Sequence, residues 1–156
     1  MAITQTATSS FKAELLLGVH DFRTAGNTFK LALYTSSASL DANTTAYTTG
    51  NEVLGANYTA GGGTLVNQGV TTAPNTSSSG AGYTNFANLT FSNSTITARG
   101  AMIYNTTPSK LSNAGATLVN PAVAILDFGS DKSSTTGDFT IIFPTPGAGT
   151  AILRVS

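Results

Sequence analysis

The hydrophobic pattern of the chain begins with a helical period. Apolar side chains recur every three or four residues, at Phe11, Leu15, Val19 and Phe22, which places them on one face of a helix. Ser9 or Ser10 can cap the start of this helix, and the Ala-Gly-Asn run at 25–27 can end it. The pattern predicts one amphipathic helix at about residues 10–23 that packs on a sheet, with His20 partly exposed beside its apolar face.

From Thr28 onward the hydrophobic period shortens to two residues. Phe29, Leu31 and Leu33 alternate with other side chains, which is the pattern of a half-buried strand. The apolar block at 121–156 is expected to form the centre of a sheet. β-Branched and aromatic residues between turn-forming clusters predict further strands near 47–54, 64–70, 84–91, 95–104, 121–128, 138–143 and 150–155. The series predicts a mainly β fold, a β-sandwich of jelly-roll or Ig-like type with one N-terminal helix.

The length of 156 residues is that of one domain. The long connections at 61–63, 74–80 and 105–120 are rich in glycine or hydroxyl-bearing residues, and we expect them on the surface. No repeat and no linker divides the sequence. We expect a single domain over 1–156, with the helix at about 10–23 and the sandwich at about 28–156.

Composition narrows the range of functions. The sequence has no Cys, no Trp and one His, and 9% of its residues are charged, against about 25% in an ordinary globular protein. The formal net charge is zero and the basic residues are scattered singly, whereas nucleic-acid binding requires clustered Lys and Arg. Thr, Ser, Gly and Asn make up nearly half of the chain. We expect no nucleic-acid partner and a neutral, hydroxyl-rich surface that favours association with other proteins.

The sequence carries no sign of export or membrane insertion. The residues MAITQTATSS have neither the basic segment nor the apolar core of a signal peptide, and no stretch approaches 18 apolar residues. The sequence predicts no membrane partner.

The acidic residues form no recognisable metal-binding motif. Asp127, Asp131 and Asp138 flank one loop, but their spacing does not match a calcium-binding loop. The triplet Asp127-Phe128-Gly129 occurs in kinases, yet the other kinase motifs are missing. We expect these aspartates to accept hydrogen bonds from backbone N–H groups in turns. The sequence predicts neither a metal site nor a cofactor site.

Groups that could hydrolyse a substrate are present without a catalytic arrangement. Ser77, Ser78 and Ser79 lack the motif of a nucleophilic serine, and His20 is the only imidazole that could serve them. Glu14 and Glu52 are the only glutamates, and no Trp is available to stack on a sugar. The glycines at 61–63 are not followed by Lys-Ser/Thr, so they indicate a hairpin or bulge rather than a phosphate-binding loop. We expect no catalytic residues and no enzymatic activity.

The tyrosines are the remaining candidates for binding. Tyrosine combines a large contact area with a hydroxyl and is common at interfaces. Placement near strand ends equally suits packing at the edge of the core, so both interpretations stay open for Tyr34, Tyr47, Tyr58, Tyr83 and Tyr104.

Several segments together resemble small virion proteins of tailed bacteriophages. The segments that carry the resemblance are 11–16, 28–35, 51–53, 58–62, 98–105 and 122–129, with Gly18, His20 and Phe22 between the first two. Among them are FKAELL, TFKLALYT, ARGAMIYN and AVAILDFG. The resemblance covers most of the chain and is weakest at 66–86 and 108–118. It is a similarity of whole-chain pattern, not of a catalytic motif.

The resemblance implies a structural component of the phage particle. Our first expectation is a capsid decoration or cement protein, made in the bacterial host cytoplasm and located on the capsid surface of the virion. It would bind the major capsid protein and copies of itself, as a symmetric oligomer such as a trimer. The alternative is a tail, fibre or receptor-binding module that recognises host glycans through Tyr, Asn and Thr side chains, although the lack of Trp weakens it.

Overall fold

The computed structural model describes residues 2–73 and 80–155. Its regular elements in these ranges, in chain order, are β1 (Thr6–Ala7), α1 (Ser9–Leu16), β2 (Phe29–Tyr34), β3 (Gly63–Thr64), β4 (Asn67–Ala73), β5 (Ala81–Phe86), β6 (Leu89–Asn105), β7 (Ala122–Ile141) and β8 (Leu153–Val155). None of the helical residues described forms a segment long and apolar enough to cross a membrane.

The strands form two antiparallel sheets. The larger sheet has the strand order β1-β7-β6-β2-β3, and the smaller one has the order β4-β5-β8. Together with the short helix α1, these sheets confirm the predicted mainly β, sandwich-like fold. The large sheet is centred on β6, which pairs with β2 through Gly100 to Asn105 and with β7 along most of its length.

The helix is about half as long as the sequence predicts. It begins after Thr8, whose Oγ1 accepts the Phe11 N–H at 3.2 Å, and not after one of the two serines. It ends because Gly18 adopts a left-handed conformation with φ of +68°. In the resulting cap the Gly18 N–H donates to the Leu15 carbonyl and the Val19 N–H donates to the Glu14 carbonyl. The apolar spacing continues beyond Leu16, but Val19 and Phe22 are buried from non-helical backbone.

The individual strand predictions are wrong in several details. β2 is buried on both faces, not one. Residues 47–54 form no strand, only the single bridge of Glu52 with Tyr34. The segments 121–128 and 138–143 belong largely to one strand, β7. The segment 121–156 is expected to form the centre of a sheet, but only β7 has a strand on each side. β8 lies at the edge of the small sheet.

Both faces of the large sheet are covered by apolar clusters, which explains the burial of β2. Leu31 and Leu33 face the main core, where α1 and both sheets meet; its members include Phe11, Phe22, Phe29, Phe86, Phe91, Ile103 and Phe143. Ala32 and Tyr34 face the second core, with Ile3, Leu40, Met102, Tyr104 and Ile125. Each fully buried large apolar side chain contributes about 1.5–3 kcal/mol to the free energy of unfolding.

Beyond β2, strands β6 and β7 continue as a two-stranded extension that we call the outer ribbon, residues 89–98 and 132–141. One face of the outer ribbon packs on the main core through Phe91, Ile96, Ala98, Phe139 and Ile141. The register is interrupted where the outer ribbon begins, because β7 places four residues, 128–131, opposite Arg99 alone. It is interrupted again within the outer ribbon, where Thr136 has φ of +48°. Bulges of this kind increase the local twist and disrupt the ladder.

Candidate functional site

His20 is the centre of a buried polar network next to α1. Its side chain is 0% exposed, and its Nε2 lies 2.7 Å from Glu14 Oε2. Its Nδ1 lies 3.0 Å from Asn105 Nδ2, which also donates to Asn27 Oδ1 at 3.0 Å. The network therefore joins α1, the turn after it and the C-terminal end of β6. The prediction of a partly exposed helical histidine is wrong, because the helix ends before His20 and the ring turns inward.

The hydrogen bonds of Asn105 define the protonation state of His20. Asn105 Oδ1 accepts the Thr107 N–H at 2.9 Å, so the amide nitrogen of Asn105 faces the imidazole. His20 Nδ1 must then accept, and the ring carries its proton on Nε2, where it is donated to Glu14. Burial lowers the pKa of His20, and the Glu14 carboxylate only partly opposes this effect. The neutral imidazole has both nitrogens occupied, so neither is free to act as a base toward a substrate.

Glu52 is the centre of a second buried network, which the sequence analysis missed. Its Oε2 accepts the Tyr47 hydroxyl at 2.6 Å, and its Oε1 accepts the Tyr58 hydroxyl and the Gly61 N–H, both at 2.7 Å. The Tyr58 hydroxyl in turn accepts the Leu33 N–H of β2 at 2.8 Å. A buried carboxylate is retained in this way because three donors replace its hydration.

Two more tyrosines surround the Glu52 network. Tyr104 donates its hydroxyl to the Gly61 carbonyl at 2.7 Å, and its ring stacks on that of Tyr47 with centroids 4.6 Å apart. Tyr34 donates to the Thr48 carbonyl at 2.6 Å. Burial is the main cause that raises the pKa of Tyr34, Tyr47 and Tyr58, and it raises the pKa of Tyr104 to about 12. All four hydroxyls stay protonated near neutral pH and act as hydrogen-bond donors.

Of the two interpretations of the tyrosines, the structure favours packing for these four. Their hydroxyls are used inside the protein, and only Tyr47 among them is appreciably exposed. Tyr83, on β5, lies apart from this group and is partly exposed. The one sequence signal for the network is local: Tyr47 precedes Glu52 by five residues and Tyr58 follows it by six. The contributions of Leu33 and Tyr104 come from distant strands, which no local pattern reveals.

The three aspartates considered for metal binding do not share a site, and those with hydrogen bonds have different partners. Asp127 accepts Arg99 Nε and the Gly129 N–H, both at 2.9 Å, and the bond with Arg99 lowers its pKa. Asp138 accepts the Asn93 N–H at 3.2 Å. Asp127 and Asp138 thus bind turn N–H groups as predicted, while Asp131 is exposed. Among the residues that the structure describes, no three His, Cys, Asp or Glu side chains are grouped to hold a metal ion.

The glycines at 61–63 form a tight turn before β3, where the sequence predicts a hairpin or bulge. Gly62 has φ of +69°, and a Cβ at this position would lie 1.8 Å from the Leu31 carbonyl oxygen. Only glycine permits this approach to β2. The Gly61 N–H, which a phosphate loop would present to a ligand, donates to Glu52 instead. Ser77, Ser78 and Ser79 lie outside the described residues.

The exposed face of the outer ribbon carries an ordered array of polar side chains. Hydroxyl pairs cross the two strands, between Thr97 and Ser133 at 2.8 Å and between Thr90 and Thr140 at 2.9 Å. Beside this face, the edge of β7 beyond Ile125 pairs with no other strand in the described ranges. The outer ribbon therefore offers hydroxyl groups and backbone donors and acceptors to a partner.

Comparisons of the chain with models of protein families, with curated proteins and with solved structures find no match.

Proposed function

We propose that this protein is a structural component of a tailed-phage particle and that it decorates the capsid. The resemblance of the segments around Phe11, Phe29, Ala98 and Ala122 to small virion proteins supports the class of protein. The observation that supports the role is the outer ribbon. It presents hydroxyl pairs and a β7 edge that pairs with no strand in the described ranges, while its other face packs on the main core. Many weak contacts of this kind suit a protein held at repeated positions on a shell.

The bulges of the outer ribbon explain how such an edge can be exposed without uncontrolled aggregation. A long, flat edge strand pairs with any other edge, whereas bulges restrict pairing to short stretches and one geometry. The irregularities at 128–131 and at Thr136 divide the β7 edge in this way. A specific neighbour with matching geometry would cover the edge in the assembled particle.

The buried networks support a structural role over an enzymatic one. The single histidine and both glutamates are inside the protein, with their hydrogen bonds directed to other residues of this chain. Stabilisation of a shell requires only that the protein binds the assembled form better than its separate subunits.

The alternative, a fibre or receptor-binding module that recognises glycans, gains less support. It relies on tyrosine hydroxyls directed outward, but those of Tyr34, Tyr58 and Tyr104 are bonded to protein atoms in the interior. A glycan site would have to rely on Asn and Thr side chains of loops.

Mass-spectrometric stoichiometry of purified virions that encode this chain tests the proposal. We expect a copy number comparable to that of the major capsid protein, hundreds per particle, and its location on the shell by electron microscopy. Copies confined to the tail, at tens or fewer per particle, would contradict decoration and support the alternative.

Cosedimentation of the purified protein with shells that lack it tests the surface. Thr97→Arg and Thr140→Arg introduce bulky charges on the exposed face of the outer ribbon, and we expect both to abolish binding while the melting temperature stays near that of the wild type. Thr117→Arg places the same side chain on an exposed loop elsewhere and is the matched control. Binding by all three variants at the wild-type level would exclude the outer ribbon as the contact surface.

A further inference from the structure

A groove of about 620 Å³ lies between α1 and one face of the small sheet. Phe11 and Leu15 line it from the helix, with Phe22 from the turn that follows. Val70, Thr84 and Leu153 line it from the sheet, where they form one cross-strand row because Val70 pairs with Thr84 and Thr84 with Leu153. The volume falls within the range of about 300–1,000 Å³ that is typical of small-molecule sites.

The floor of the groove is a continuation of the main core. Phe11 and Phe22 are buried members of that core, and Leu15 and Leu153 pack against it. The one polar side chain in the row, Thr84, uses its hydroxyl to donate to the Gly69 carbonyl at 2.7 Å. An occupant of the groove would therefore contact mainly carbon atoms, which favours an apolar molecule.

The groove presents one available cation, that of Lys12. Lys12 and Arg154 both contribute atoms to its lining and no Asp or Glu does, but the guanidinium of Arg154 is directed away from the groove. Neither cation forms an ion pair within the residues that the structure describes. Lys12 lies beside Phe11 on α1 and is exposed, so it is available at the solvent side. Arg154 follows Leu153 on β8 and points to the other face by strand alternation, where its Nη1 donates to the Ala148 carbonyl at 3.1 Å.

We propose that this groove binds a small amphipathic anion, an elongated apolar group that carries one carboxylate or similar head group. The apolar part occupies the space between Phe11, Leu15 and Leu153, and the head group lies next to the Lys12 ammonium. The proposal is independent of the capsid role, since it concerns another surface of the protein.

Gly82 provides a way to block the groove without a packing conflict. It lies on β5 two residues before Thr84, on the same face, and a Cβ added there meets no atom within 4 Å. Its φ is not in the left-handed region, so Gly82→Leu should fold and fill the groove. Gly149 also has open space at its Cβ, is not in the left-handed region and does not line the groove, which makes Gly149→Leu the matched control.

Isothermal titration calorimetry with decanoate, below its micelle concentration, tests the proposal. We expect saturable binding of decanoate to the wild type, a loss of affinity of about tenfold or more for Gly82→Leu and no change for Gly149→Leu. Lys12→Gln should lower the affinity for decanoate about two- to fivefold, as expected for a partly exposed ion pair. It should leave the affinity for decanol, which carries no charge, unchanged. Arg154→Gln should leave both affinities unchanged.

Several outcomes would overturn the proposal. Absence of saturable decanoate binding to the wild type excludes the ligand class. Equal affinity of Gly82→Leu and the wild type places the binding outside the groove. Binding of decyltrimethylammonium as tightly as decanoate shows that the site does not select an anion and rejects the assigned role of Lys12.

Discussion

Glu14 and Glu52, the only glutamates of the chain, are equally buried, at 6% exposure each, but they are held by different chemistry. Glu52 accepts hydrogen bonds from two tyrosine hydroxyls and one backbone N–H, and none of these donors titrates near neutral pH. Glu14 is bonded to His20, which does. The comparison teaches that two carboxylates of similar burial can be held by different kinds of donor, one set that keeps its protons near neutral pH and one imidazole that titrates in that range.

The largest effect is expected at Glu52. Glu52→Ala leaves two buried donors, the Tyr58 hydroxyl and the Gly61 N–H, and the partly exposed Tyr47 hydroxyl without an acceptor. We expect the free energy of unfolding to fall by about 3–4 kcal/mol, measured by urea denaturation. Glu52→Gln keeps an acceptor for Tyr58 and the Gly61 N–H, and we expect it to cost about 1 kcal/mol. If Glu52→Ala were within 1 kcal/mol of the wild type, the Glu52 network would not be a major support of the fold.

His20→Ala is the corresponding change in the Glu14 network. At pH 7 it removes the donor to the buried Glu14 side chain, and we expect the free energy of unfolding to fall by about 2–3 kcal/mol. The difference in the free energy of unfolding between the wild type and His20→Ala should become smaller as the pH falls below 6.5, the ordinary pKa of histidine. Because burial lowers the pKa of His20 in the folded state, the unfolded state binds more protons in this range, and the wild type loses stability as pH falls through the lowered pKa.

Urea denaturation between pH 5 and 8, together with NMR titration of the single imidazole, measures this difference. Tyr58→Phe is the control, because it leaves His20 and its partners untouched and should keep the pH dependence of the wild type. A pKa of His20 at or above 6.5 in the folded protein would contradict the neutral, Nδ1-accepting ring. Loss of shell binding by a folded His20→Ala protein would show that this residue has more than a structural role.

Gly18→Ala tests how α1 and His20 are connected. Gly18 has φ of +68°, and its turn brings the chain back so that His20 meets Glu14. We expect Gly18→Ala to cost about 1 kcal/mol and to shift the NMR signals of His20. Gly115→Ala has the same backbone strain, with φ of +74°, in a loop without nearby atoms. It should cost a similar amount and leave the signals of His20 unchanged; equal shifts in both variants would exclude a specific connection.

The helix α1 and the two buried networks show what could and could not be predicted from the sequence. The fold class followed from the change of hydrophobic period at Thr28, and the helix start was placed within two residues. The helix end was missed because Val19 and Phe22 continue the apolar spacing, although Gly18 was the physical signal for a cap. Burial of polar groups depends on contacts far apart in sequence, such as His20 with Asn105, so neither network could be derived from local patterns.

The outer ribbon also could not be predicted from local patterns in the sequence. Its β7 strand was predicted as two separate segments because the residues between them are polar and the alternation is interrupted by Gly129 and Thr136, both with positive φ. The structure keeps them in one strand through cross-strand pairing with β6, a tertiary effect that outweighs local preference.

The smallest effect is expected for Tyr47→Phe, which tests whether the donors of Glu52 are equivalent. Tyr47 is the partly exposed donor, so water can replace its hydroxyl, and we expect a loss of about 0.5–1 kcal/mol. Tyr58→Phe removes a buried hydroxyl that both donates to Glu52 and accepts the Leu33 N–H, so it should cost more, about 2 kcal/mol. Neither variant should alter the change in stability between pH 5 and 8, because His20 is untouched. Urea denaturation of both variants at pH 5 and pH 8 measures these losses. Equal losses in the free energy of unfolding would mean that water reaches Tyr58 as well, and that the Glu52 network is more accessible to solvent than its burial indicates.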